Sequence, residues 1–274
     1  MTIIKAPKPL GPGMTGLLVL VALFAVPGWM AGHDISPRWA WLVCAGFQVV
    51  FCIVVGTGIN GRPAGLIIDN RNRVSLSKFQ MVAWTILILS AQISAVFARL
   101  ASGVPSAVEI DIPPQLFAVM GISVTSLVAS PLILNAKSGQ DAGDGQAEAT
   151  QTRLGDAGHA SIGKVYARDD PGQASWLDMF RGDEVSNAAS PDIGKLQKFL
   201  ITIVLLVGYG GAIWTMFAAS HGGSGLSPLP DFGEKMVWLL AASHGGYLAY
   251  KAAPHGGSES VASAAPPPAD DALG

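Results

Sequence analysis

Charge is what this sequence has least of. Only 13% of its 274 residues are Asp, Glu, Lys or Arg, while 50% are apolar, more hydrophobic surface than one soluble domain of this length usually buries. That balance excludes a chain disordered throughout. Cysteine is almost missing: two residues exclude a disulfide framework or a Cys-rich metal scaffold. A basic excess is missing too. The 17 Lys and Arg against 19 Asp and Glu give a net charge of −2, which gives no reason to expect a nucleic-acid partner bound by a basic face.

Charge is also missing in blocks. The stretches 14–32, 39–58, 80–98, 115–134, 199–219 and 236–250 contain no Asp, Glu, Lys or Arg. A helix needs roughly 20 apolar residues to cross ~30 Å of hydrocarbon, and the first five meet that length. Trp29, Trp39, Trp41, Trp214 and Trp238 stand near their ends, where amphipathic rings prefer the headgroup level. The sixth is shorter and holds Ser243, His244, Gly245 and Gly246; it reads as a crossing, with a thinned or re-entrant segment as the alternative. Lys5 and Lys8 before the first run resemble a secretory signal, but the run exceeds a signal core and no small-x-small site follows, so it reads as a retained helix. The expected fold is all-α, a polytopic bundle of about six transmembrane helices.

Lys and Arg in alternate loops orient the bundle. With the N-terminus inside, only Arg38, Arg99 and Lys235 fall outside, and the other fourteen lie inside, so both termini are expected to be cytoplasmic. Residues 1–60 form an N-terminal helix pair, 61–79 a basic inner loop, 80–134 and 199–250 two further pairs, 135–198 a long cytoplasmic loop and 251–274 a disordered tail.

Within 61–79, Leu66 to Ser75 reads as a hairpin-like turn, and Ser77 with Gln80 as a capping box that starts the third helix. Arg62, Arg71, Arg73 and Lys78 are placed to anchor the loop at lipid headgroups. In the long loop, residues 138–162 hold few large apolar groups and are expected to lack order. Near 172–187, Trp176, Met179 and Phe180 at i, i+3 and i+4 predict a short amphipathic helix with Asp178, Asp183 and Glu184 turned away.

Ser77-Lys78-Phe79-Gln80 before one helix pair and Gly194-Lys195-Leu196-Gln197 before another suggest a parallel two-helix repeat, against the alternative of chance likeness among apolar helices. Polar residues in the spans mark faces turned to protein: Cys44, Gln48 and Cys52; Thr85 and Gln92; Ser123, Ser126 and Ser130; and a small-residue seam of Gly208, Gly211 and Thr215. Helix packing explains such stripes, and a solute path is the sharper reading. On that reading the lining candidates are His244 first, with Ser243, Tyr247, Gln92, Ser123, Ser126 and Gln48.

No second His, Cys or carboxylate stands at ligand spacing from His244, so no metal or cofactor is expected. Gly56-Thr57-Gly58-Ile59-Asn60-Gly61 matches G-x-G-x-x-G, but a membrane-length run precedes it, Pro63 follows, and no acidic residue stands ~20 positions on. No catalytic motif is present, and an enzyme is not expected. The absence of Asp, Glu, Lys and Arg from the spans also argues against an ion-coupled carrier.

The run Ile68-Asp69-Asn70-Arg71-Asn72-Arg73-Val74-Ser75-Leu76-Ser77-Lys78-Phe79-Gln80, continuing to Trp84-Thr85, together with Ser243-His244-Gly245-Gly246-Tyr247-Leu248 and Lys251-Ala252, resembles an uncharacterised group of bacterial multi-span membrane proteins. The resemblance implies a bacterial inner-membrane location and carries over no activity and no residue role. The expected function is a passive pore or channel-like transport component, or alternatively a membrane anchor whose long loop binds a cytoplasmic partner. Membrane lipid and further copies of the chain are the other expected partners.

Overall fold

A computed structural model describes residues 11–142, 150, 152–154, 160–220, 226 and 228–253. It contains six long helices: α1 (Pro12–Gly32), α2 (Pro37–Asn60), α3 (Leu76–Ala101), α4 (Pro114–Ser138), α5 (Ile193–Ala219) and α6 (Glu234–Ala252). Local sequence explains their starts. Proline occupies the first turn of α1, α2 and α4, where its missing N–H is not needed. Ser75 and Asp192 cap α3 and α5 by accepting from the amides of Lys78 and Lys195. The cap of α3 is therefore Ser75 and not Ser77: Ser77 and Gln80 lie inside the helix and are buried.

Helices α1 to α5 are long and apolar enough to cross a membrane. The chain is accordingly described as a multi-pass membrane protein. Large side chains such as Leu17, Val21 and Phe24 on α1 and Val204 and Val207 on α5 are exposed, as lipid-facing residues are. Helix α6 has 19 residues, roughly 28 Å of helix, and packs between α4 and α5. The Gly208, Gly211 and Thr215 seam is exposed on α5 and joins no helices among the described residues; Thr215 bonds back to its own helix. Cys44 and Gln48 instead turn inward, towards Ser90 and Ser94 of α3.

One end of the α3–α6 bundle is closed by apolar packing that includes non-helical chain. Leu226, Leu229 and Phe232, just before α6, are buried with Leu116, Val119, Tyr209, Ile213 and Phe217. The Phe232 ring meets Trp84 edge-on at 5.5 Å and Tyr209 at 5.6 Å. Trp84 lies only about 12 Å along α3 from its other end, so this segment reaches deep between the helices. Irregular backbone at that depth requires protein partners. It has them: Pro230 O accepts from Tyr209 Oη, and Asp111 O accepts from the amide of Leu229.

The opposite end, here the basic end, carries two loops folded onto each other. Residues 61–75 contain a short 3-10 helix (Gly65–Ile67) and an antiparallel bridge between Ile68 and Val74, in keeping with a hairpin-like turn. Residues 160–192 contain a two-stranded hairpin, β1 (Ala160–Ile162) and β2 (Val165–Ala167), and two more 3-10 turns. The region 172–187 is not an amphipathic α-helix. Only Trp176–Phe180 is helical, as one 3-10 turn opened by a capping box of Ser175 and Asp178, and Asp178 also turns into an ion pair with Arg168. Of the residues 138–162 for which loss of order is expected, Thr150 is buried on the Val185 carbonyl and 160–162 is a strand; residues 143–149, 151, 155–159 and the tail from residue 254 lie outside the described residues. Two glycines near the end of α2 have distinct roles. Gly61 is left-handed at φ 68° and ends the helix, and Gly56 lies against the backbone of Gly65 and Leu66.

Candidate functional site

The chemistry-bearing side chains converge at the basic end on one carboxylate. Asp183 accepts from Lys195 Nζ at 2.9 Å, Lys251 Nζ at 2.8 Å, Arg71 Nη2 at 3.1 Å, Arg73 Nη1 at 3.4 Å and Tyr247 Oη at 3.3 Å. The donors come from loop 61–75, the start of α5 and the end of α6. Four cations around one anion make it a tie between four chain segments. Around it, Asp178 pairs with Arg168 at 2.8 Å, Asp69 with Arg71 at 2.8 Å, and Glu184 with Lys137 at 2.7 Å.

Nearly all of these groups are buried. Arg73 and Lys198 are 1% exposed, Asp178 2% and Lys195 5%. Ions taken out of water must be paired and hydrogen-bonded, and here cations outnumber carboxylates. Burial opposes the charge on Asp183, yet Lys195, Lys251, Arg71 and Arg73 outweigh it and hold the carboxyl well below the usual range. Burial likewise opposes Arg71, but Asp183 and Asp69 raise it further. Arg73 is pressed the other way, by burial and then by Arg71 beside it.

A cleft of about 260 Å³ opens beside this hub. Its walls are the N-terminal turn of α3, the α4 face of Leu127, Ser130, Pro131 and Leu134, and the polar groups Arg71, Lys195 and Lys251.

From the hub a line of buried polar groups runs into the bundle. Lys198 Nζ donates to Ser126 Oγ at 3.0 Å and sits 5.1 Å from the Tyr247 ring centre. Ser126 in turn meets His244 Nδ1 at 2.9 Å. Gln80 Nε2 donates to Thr202 Oγ1 at 2.6 Å. Four buried atoms on α3, α4 and α6 have no hydrogen-bond partner among the described residues: Gln80 Oε1, Trp84 Nε1, Ser123 Oγ and His244 Nε2. Beyond them lies the apolar packing around Phe232.

The residues expected to line a path divide accordingly. His244 and Ser126 come together, Ser123 is buried on the same helix as Ser126, and Tyr247 is brought to the hub. Gln48 belongs to a separate contact with α3. Ser243 and Gln92 are half-buried and add no hydrogen bond to the line among the described residues. The four basic loop residues are turned into protein: Arg71 and Arg73 enter the hub, Lys78 donates to Ile68 O at 2.7 Å, and Arg62 donates to the carbonyls of Pro171 and Gly172. Acidic side chains expected to face away, Asp178, Asp183 and Glu184, are the anions of the hub.

Sequence reasoning missed Lys137, Lys195, Lys198 and Lys251. They flank uncharged runs and bore only on orientation; their partners, up to 121 residues distant, reveal them as interior. No family model matches the chain, and no curated protein or solved structure matches it either. The arrangement itself is a buried, cation-rich hub joined to a polar line that ends within the bundle.

Proposed function

We propose that this multi-pass membrane protein is a transport-type component whose α3–α6 half holds a polar path in a closed state. The observation that carries the reading is the set of unpaired buried polar atoms inside the α3–α6 half, Gln80 Oε1, Trp84 Nε1, Ser123 Oγ and His244 Nε2. Unpaired polar atoms inside a bundle are costly, and a path for a polar solute is a use for them. Lys198, with no carboxylate within ion-pair distance among the described residues, makes the inner part of that path favour anions. The segment around Phe232 closes the far end, so an open passive pore is not the resting form.

The test is flux through vesicles. Wild type is expected to give negligible chloride leak, and Phe232→Ala, which thins the closure, to raise it; adding His244→Ala is expected to change that leak again. Folded Phe232→Ala protein that leaks no more than wild type would remove the reading.

The chain is further read as crossing six times with the basic end cytoplasmic, in a bacterial inner membrane as its resemblance implies. Pairs α3–α4 and α5–α6 are read as two copies of one unit. Each unit opens with an isolated antiparallel bridge, Ile68 to Val74 and Arg181 to Pro191, followed at once by a cap that binds the amide of a lysine three residues on. Single cysteines at positions 106 and 164, in protein whose Cys44 and Cys52 are replaced, are expected to react with a membrane-impermeant reagent from opposite sides. Labelling from the same side would refute the odd number of crossings between them.

A second reading, a scaffold that presents residues 160–192 to a cytoplasmic partner, is favoured by the clamping of that segment onto the spans through Asp183 and Glu184.

A further inference from the structure

The cleft at the basic end differs from the polar line in where it opens. Leu127 and Pro131 belong to the uncharged run 115–134, at the depth of hydrocarbon, whereas Ser77, Lys78 and Ser138 stand just outside the uncharged runs, at headgroup level. Pro131 is exposed, as are its neighbours Val128 at 54% and Leu132 at 64%. The mouth therefore faces sideways, towards lipid, with an apolar lower wall and a charged upper one.

Its charges favour an anion. Arg71, Lys78, Lys195 and Lys251 line it against Asp69, Asp178 and Asp183. Each of those carboxylates already accepts at least two donors, so little acceptor capacity remains. Donor capacity does remain. Arg71 Nη1 is buried without a hydrogen-bond partner among the described residues, on a side chain only 11% exposed. Lys78 bonds one carbonyl, Ile68 O, and lies within ion-pair distance of no carboxylate among the described residues. The volume, about 260 Å³, is just under the ~300 Å³ at which pockets for whole small molecules begin. It suits a headgroup whose chains stay in the bilayer.

We propose that this cleft binds the phosphate of an anionic glycerophospholipid that enters from the membrane between α3 and α4. Arg71 Nη1 and the Lys78 ammonium hold the phosphate, while Leu127 and Pro131 receive the first carbons of an acyl chain. Because the site is lateral, it acts whether or not the polar line conducts anything. The same donors would also take a free phosphate from water, and the apolar wall is what distinguishes the two sources.

The test uses the full chain in detergent, with native mass spectrometry after addition of phosphatidylglycerol or phosphatidylcholine, and calorimetry with inorganic phosphate. Wild type is expected to retain one phosphatidylglycerol per chain, at least tenfold tighter than phosphatidylcholine. Lys78→Gln, which leaves the Asp183 hub intact, should weaken retention about fivefold, the effect of one basic residue near a membrane surface. Leu127→Trp, which fills the apolar wall, should abolish retention without changing the thermal midpoint. Arg62→Gln, outside the cleft, should retain lipid as wild type does. Inorganic phosphate binding as tightly as the lipid, with retention unaffected by Leu127→Trp, would overturn lateral lipid entry in favour of a free anion. Equal losses from Arg62→Gln and Lys78→Gln would reduce the effect to general surface charge and overturn the site, and so would absence of both lipid and phosphate binding.

Discussion

Replacing Asp183 by Asn is expected to cost about 3–5 kcal/mol of stability, the usual penalty for removing one partner of a buried ion pair. The cost arises from what remains: Lys195, Lys251, Arg71 and Arg73 would be left buried around an amide that can neutralise none of them. Thermal unfolding in detergent measures it, with Arg62→Ala as a comparison expected to lose under about 1 kcal/mol, since Arg62 binds only carbonyls of a partly exposed turn. The pH dependence has a definite sign. Asp183 has a folded value lowered well below its ordinary 3.8, so its contribution is fully present above that value and is lost as pH falls through the folded value. In wild type the Asp183 contribution should hold from neutral pH to about 5 and fall progressively below it. A contribution that is already lost between pH 7 and 5 would show that the carboxylate is not held by these cations.

The second large effect is expected from a single methyl group. A Cβ at Gly65 would overlap the Gly56 carbonyl, and one at Gly56 would come within 2.8 Å of the Leu66 amide nitrogen. Both neighbours are backbone and cannot swing aside. Gly65→Ala should therefore cost about 3 kcal/mol, the upper part of the range for overpacking, by lifting loop 61–75 off α2 and with it Arg71 and Arg73 from the hub. Gly46→Ala supplies the contrast. Nothing lies within 4 Å of its added Cβ, so it should be neutral or stabilise by up to ~1 kcal/mol through helix propensity. Equal midpoints for Gly65→Ala and Gly46→Ala would contradict the close approach.

These two expectations mark where reading the sequence stops. The glycines after α2 were legible as helix-exit residues, and Gly61 is one. Nothing in the order of residues announced that Gly56 and Gly65 touch. The caps illustrate the same boundary at shorter range. That α3 and α5 begin near Lys78 and Lys195 follows from local pattern, but choosing Ser75 over Ser77 depends on which hydroxyl meets the Lys78 amide, and that is a matter of backbone angles. Residues 172–187 failed for a different reason. The i, i+3, i+4 spacing of Trp176, Met179 and Phe180 is genuine, but tertiary partners outweighed it: Arg168 and the Ser175 amide draw Asp178 inward, and the Arg73 guanidinium lies 4.0 Å away. The candidate lining was partly visible, because a histidine and serines inside apolar runs must face protein. Its continuation through Lys198 into a hub was not.

By itself the sequence determined the solvent and the crossing segments, because a span needs only enough consecutive apolar residues, a local property that requires no knowledge of any other segment. The tertiary structure alone decided which charges leave water. Arg71 and Asp183 are 112 positions apart, and each looks like an ordinary solvated loop charge until the fold removes water from both and leaves them to each other. The same holds for Phe232 against Trp84: whether a loop lies over the bundle or reaches into it depends on the gap the helices leave, which is a property of the assembled bundle.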